Sequence, residues 1–128
     1  MSRMNKDAAI QSFFSSFSLT AYPATSVPTN GPERPEFPYL TYILPTDSDI
    51  GRIFGTASLW YRSESWTEVN SKVREISQAI GAGVTIECDE GAMIVRKGSP
   101  FAQPMGDDSD NMIKRKILNF EVLFVTTY

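Results

Sequence analysis

Residues 65–97 read SWTEVNSKVREISQAIGAGVTIECDEGAMIVRK, and a change of hydrophobic period inside this stretch decides the fold. In its first half Trp66, Val69, Val73, Ile76 and Ile80 recur at three- and four-residue spacing, the stripe of an amphipathic helix. Ser65 and Glu68 have the spacing of a capping box, in which each side chain satisfies a backbone donor at the helix start. Gly81 supplies the left-handed stop. The opposite face, with Lys72, Arg74, Glu75 and Gln78, is expected to be wet. After Gly83 the pattern becomes that of strands. Residues 84–88 and 92–97 flank Asp89, Glu90 and Gly91, a natural hairpin turn, so an antiparallel pair is predicted.

Downstream, residues 98–110 mix Gly, Pro, Ser, Asp and Met without a period and read as a long loop or hairpin tip, a place where function often resides. Residues 113–127 then alternate. Leu118, Phe120, Val122 and Phe124 share one face, and Ile117, Asn119, Glu121, Leu123 and Val125 share the other, so a long strand with a partly apolar second face is predicted.

Upstream, Ile10, Phe13, Phe14 and Phe17 place a docking helix over residues 5–17, with Asn5 as N-cap and Asp7 in the first turn, where the helix dipole favours negative charge. A short extended piece at 19–22 follows. Residues 23–38 hold Pro23, Pro28, Pro32, Pro35 and Pro38, five of the eight prolines, and read as an exposed loop. Residues 37–44 and 53–62 are β-rich, and the turn-forming residues between them join the two as a hairpin. The order of helix, strands, helix, hairpin and long strand gives an α+β fold. Its sheet is antiparallel-dominated, with two main helices packed on one face, in one domain over residues 1–128.

The bulk properties narrow the function. A chain of 128 residues suits one modest core. The formal net charge of -3 argues against a general nucleic-acid binder, which needs clustered Lys and Arg. The single cysteine, Cys88, forms no internal disulfide and fits a reducing compartment. No apolar run approaches the ~20 residues of a membrane span, and the Ser/Phe segment after residues 1–7 is too short and polar for a secretory signal. Synthesis in the cytosol and action in water are expected.

Histidine is absent, which removes the commonest general base, metal ligand and nucleophile partner. No phosphate-binding loop is present, and Gly81-Ala82-Gly83 ends a helix, whereas such a loop opens one. Cys88, among Glu87, Asp89 and Glu90, reads as an inert strand cysteine. Asp107, Asp108 and Asp110 offer oxygen atoms to a hard cation but lack the rest of a calcium loop, so they read as a solvated acidic loop, as do Asp47 and Asp49. Arg96, Lys97, Lys114, Arg115 and Lys116 form a candidate basic patch for DNA or an acidic partner if the last two strands pair; charged protection of sheet edges is the plainer alternative. Of Trp60, Tyr61 and Trp66, at least two are expected in the core. No catalytic residue, cofactor site or metal site is predicted.

Several segments carry a family resemblance: Phe37-Pro38-Tyr39-Leu40-Thr41-Tyr42, Leu59-Trp60-Tyr61, the helix over 69–80, and Lys97-Gly98-Ser99-Pro100-Phe101 ahead of the terminal strand. Together they resemble small siphophage and prophage tail-terminator (tail-completion) proteins, and the order of elements extends the resemblance over most of the chain. The resemblance implies a structural virion protein of the tail or neck, assembled in the host cytoplasm. Its protomers form a homo-oligomeric, hexameric ring that caps the tail tube and stops its polymerisation. The implied partners are the tail tube protein and the head-completion or neck proteins, with non-specific passage of DNA through the lumen. It also makes residues 23–38 and 98–110 contact loops, with Ser99, Pro100, Phe101, Met105, Asp107, Asp108 and Asp110 as candidate interface or lumen residues. The second apolar face of the last strand is available for self-association, and rings arise when a heterologous interface closes on itself. Another neck component, such as a head-closure or adaptor protein, and a small-molecule-binding domain are the alternatives.

Overall fold

A computed structural model of the chain describes residues 5–28, 35–44, 51–89, 91–106 and 110–126. The elements run α1 (Lys6–Ser15), β1 (Thr20–Pro23), a 3-10 turn (Ala24–Ser26), β2 (Tyr39–Ile43), β3 (Gly51–Arg62), α2 (Thr67–Ile80), β4 (Val84–Cys88), β5 (Gly91–Met105) and β6 (Ile113–Thr126). They build a six-stranded sheet in the order β1-β2-β3-β6-β5-β4. Only the edge pair β1/β2 is parallel; the remaining pairs are antiparallel, as the α+β reading requires.

The last strand lies inside the sheet, with β3 on one side and β5 on the other. Because side chains alternate along a strand, register across β6 sorts the molecule into two faces. Leu118 stands opposite Ala57 and Ala102, Phe120 opposite Gly55 and Lys97, and Val122 opposite Ile53 and Val95. This is the face that carries the core, with Leu118, Phe120, Val122 and Phe124 all buried against Leu40, Leu59, Met93 and Val95. Both helices cover it. Ala9, Ile10 and Phe14 of α1 and Val69, Ile76 and Ile80 of α2 are buried. Helix α1 packs against both β1 and β4, the two edge strands, so the sheet curls around the core and α1 lies across the opening.

Local chemistry sets the helix ends. The Asn5 side chain accepts a hydrogen bond from the Ala8 N–H at 2.8 Å, the expected N-cap. Helix α2 begins one residue later than the Ser65/Glu68 pattern suggests, with Trp66 in place of Ser65 at the N-cap position. The Ser65 N–H donates to Ser63 Oγ (3.1 Å), and Ser65 Oγ accepts from the Thr67 N–H (3.0 Å), so two serines cap this end in place of the capping box. Gly81, with φ at 55°, closes the helix as its spacing predicts. Lys72 departs from the wet face expected of it. Its side chain is only 16% exposed, and its Nζ donates to the Phe17 carbonyl at 2.7 Å and to Glu75 at 3.0 Å, tying α2 to the turn after α1.

The largest correction concerns residues 98–110. Instead of a loop from residue 98, β5 continues to Met105 and pairs with β6 from Ala102↔Leu118 to Met105↔Arg115. The aperiodic composition marks a bulge between Lys97 and Ala102. Asn119 fastens it by donating to the Pro100 carbonyl at 2.9 Å and to Gln103 Oε1 at 3.2 Å. Gly98 is required there, since a Cβ would lie 2.9 Å from Asn119 Cβ and 3.0 Å from its carbonyl oxygen. The 37–44/53–62 pair is antiparallel as expected, from Tyr39↔Trp60 to Ile43↔Thr56. Its turn at 45–50, with Asp47 and Asp49, lies outside the described residues.

Two outcomes test this packing. Gly98→Ala is expected to lower unfolding stability by about 1–3 kcal/mol, the usual cost of overpacking, whereas Gly106→Ala, with nothing within 4 Å of its added Cβ, should leave the urea midpoint unchanged. Burial first, and then Glu68 and Glu75, raise the Tyr61 hydroxyl above its usual pKa of 10.0. Above pH 10 the unfolded chain therefore releases a proton that the folded chain keeps, and stability should fall as pH rises. Tyr61→Phe should remove part of that alkaline loss in a pH series of urea titrations.

Candidate functional site: the uncovered sheet face

The alternation that builds the core leaves the other face of the sheet without a helix. It consists of Tyr39, Thr41 and Ile43 on β2, the even residues from Arg52 to Arg62 on β3, the odd residues from Ile113 to Val125 on β6, and Ala92, Ile94, Arg96, Gln103 and Met105 on β5. The exposed large hydrophobics among the described residues are Phe54 (70%), Ile43 (58%), Val125 (47%) and Met105 (42%). All four lie on this face. Their segregation onto one sheet face makes that face the candidate contact surface.

One row across the strands is built more closely than the rest. Tyr39, Trp60, Arg115 and Met105 are direct neighbours on β2, β3, β6 and β5. The Tyr39 and Trp60 rings stack with centroids 5.9 Å apart and planes 9° from parallel. The Arg115 guanidinium lies 4.3 Å from the Trp60 ring centroid. Because β2 and β6 flank β3, the indole is covered on both sides. Tyr22 meets Tyr39 edge-on at 6.2 Å, and Phe37 lies 5.3 Å from it. In the next row Thr41 and Ser58 are buried hydroxyls that hold this stack. Trp60 Nε1 donates to Thr41 Oγ1 at 2.9 Å, and Arg115 donates to Ser58 Oγ from Nε at 3.2 Å and from Nη2 at 3.0 Å. Burial lowers the pKa of Arg115, opposed by Tyr39, and among the described residues no carboxylate forms an ion pair with it.

The residues singled out from sequence fall on both faces. Arg96 and Arg115 belong to the open face, whereas Lys97, Lys114 and Lys116 point to the helix side, so the five do not form one basic patch. Lys97 donates to Ser77 of α2, and Lys114 and Lys116 lie 5.8 and 5.5 Å from the Trp66 ring. Ser99 and Pro100 are exposed on the bulge, but Phe101 is half-buried with its ring edge against Phe120, 5.8 Å away. Met105 joins the open face beside Arg115. Asp110 pairs with Arg62 and accepts from the Met112 N–H at 2.9 Å, fixing the start of β6. Asp107 and Asp108 lie outside the described residues. Tyr61 is buried and Trp66 packs on the core, as expected of at least two of the three aromatics. Trp60 is the member that faces outward. Sequence reasoning missed its partnership with Tyr39, Ser58 and Arg115, which depends on register; the i, i+2 alternation of 53–62 was the available signal.

Cys88 is buried in β4, and among the described residues no group of three or more His, Cys, Asp or Glu side chains stands together. No helix among them is long and apolar enough to cross a membrane. Comparisons with protein-family models, curated proteins and solved structures return no match. If the row is built as described, Trp60→Leu should cost about 1–3 kcal/mol by losing an aromatic pair and a cation–π contact and by leaving the Thr41 hydroxyl without its donor. Urea unfolding followed by far-UV circular dichroism measures this, and an unchanged midpoint would show the stack to be ornamental.

Proposed function

We propose that this chain is a non-enzymatic virion assembly subunit, a tail terminator that works as a ring of identical copies. The ring caps the tail tube, halts its polymerisation and offers a surface to the head-completion proteins. The observation that carries the reading is the gathering of Ile43, Phe54, Met105 and Val125 on the one face that no helix covers. Side chains arranged in this way lose apolar surface to water only when a second protein covers them. The face also holds Tyr39, Trp60, Arg115 and Met105, the residue types enriched where protein interfaces are buried. The resemblance of 37–42, 59–61 and 97–101 to tail-terminator proteins supplies the kind of assembly.

The decisive assay is growth of purified tail tube protein in the presence of this chain. Wild-type protein is expected to stop elongation and give capped tubes, and to bind finished tubes in preference to portal-bearing heads. Phe54→Glu with Val125→Glu should keep the far-UV spectrum and unfolding midpoint while losing both effects. Tube growth unaffected by the wild type contradicts the terminator role, and capping by the double variant at wild-type levels contradicts the assignment of this face.

A further inference from the structure

We infer that the free edge of β4, with the groove between β4 and α1, receives an extended segment of a partner protein whose side chains alternate apolar and basic. This edge is apart from the open face, and its use does not depend on the ring.

The open sheet has two edge strands, β1 and β4. An edge strand turns alternate N–H and C=O groups away from its one neighbour, a template for another strand. At β1 that template is spoiled. The strand is four residues long, its Ala21 carbonyl accepts from Gln11 Nε2 at 3.4 Å, and Pro23 has no N–H. β4 carries none of these devices. Val84–Cys88 contains no proline, lysine or arginine, and its register with β5 is unbroken. Among the described residues, no hydrogen bond reaches its backbone from the side away from β5.

A groove of about 350 Å³ runs along this edge, between β4 and the C-terminal half of α1. Val84 and Ile86 stand opposite Val95 and Met93, so they point to the core side, yet both are only half-buried at the groove, as is Phe13. Thr85 and Glu87, opposite Ile94 and Ala92, are exposed toward the open face. A strand laid ~4.8 Å from β4 would therefore send alternate side chains into the groove against Val84, Ile86 and Phe13, and stand the others beside Thr85 and Glu87. Backbone pairing gives such a contact its affinity, and the pockets for alternate side chains give it selectivity.

Charge selects the partner. Glu87 on β4 and Asp89 just beyond it are exposed, and among the described residues no basic side chain lines the groove. Basic side chains at the outer positions of the incoming strand are thus favoured, since opposite charges across paired strands stabilise and like charges destabilise. A second copy fits poorly. Its β4 brings the same two acids toward these, its β1 is spoiled, and its other four strands are paired on both sides.

The test is titration of the full, isotope-labelled chain with an end-blocked peptide alternating Val and Lys, about seven residues long so as to span the five of β4, followed by amide NMR and hydrogen exchange. Shifts and slowed exchange are expected at β4 amides, with those of β1 unchanged. Of two peptides N-methylated on every second amide, one in each register, one is expected to bind about tenfold more weakly because it offers β4 no donors. Glu87→Lys, an exposed substitution, should weaken the Val/Lys peptide by roughly threefold and favour a Val/Glu peptide; thermal unfolding verifies that the variant is folded. No response of β4 amides at millimolar peptide overturns the inference. Equal binding by both N-methylated peptides overturns strand pairing, and an unchanged preference in Glu87→Lys overturns the choice of a basic partner. Shifts confined to open-face residues such as Phe54 and Val125 overturn the location. Slow β4 amides in a peptide-free protein that sediments as a dimer replace the partner with a second copy.

Discussion

The constraint on which the structure depends is the two-residue alternation of β6, paired along its length with β3 and β5. Since Leu118, Phe120, Val122 and Phe124 all point to one side, every residue registered against them is committed to the core or to the open face. A slip of one residue would carry Lys116 and Phe120 to the wrong sides together. The bulge between Lys97 and Ala102 is compatible with this rule because the extra residues are taken up on β5, while Asn119 holds the displaced backbone. Core and open face are therefore products of one pattern.

The same pattern explains the uneven finish of the two sides. On the helix side lysines serve the fold: Lys72 reaches the Phe17 carbonyl, Lys97 reaches Ser77, and Lys114 and Lys116 flank Trp66. On the open side Arg52 and Arg62 have acidic partners, while Arg115 has an indole and a serine. That row stands on a face where exposed apolar side chains alternate with charged ones, Arg52, Arg62, Arg96 and Glu121 among them.

Much of the fold was legible in the sequence. The stripe of Ile10, Phe13 and Phe14, the alternation from residue 113 and the pairing of 84–88 with 91–95 each satisfy a local rule and correspond to an element. Helix α1 nevertheless ends at Ser15 with Ser16 as its C-cap, short of the expected Phe17, which is buried from the turn that follows. The failures have physical causes. The Ser65/Glu68 pair lost to Ser63, because a nearer hydroxyl captured the Ser65 N–H. Lys72 was assigned to water by its place on the helix wheel, but a long aliphatic stem lets its amine cross to a carbonyl near the core. Residues 98–105 lack periodicity because a bulge interrupts it, and composition cannot distinguish a bulged strand from a loop. The candidate site was the least legible part. Met105 and Arg115 were singled out separately, and only register across β5 and β6 makes them neighbours. The basic patch failed for the same reason: adjacent residues on a strand face opposite ways.

The central claim is that the open face is covered by another copy of the chain. Native mass spectrometry of the wild-type protein at micromolar concentration tests this most directly. The expected result is a discrete closed species of roughly six protomers, as a heterologous interface gives when its rotation closes. A protein that remains strictly monomeric across that concentration range would contradict the account.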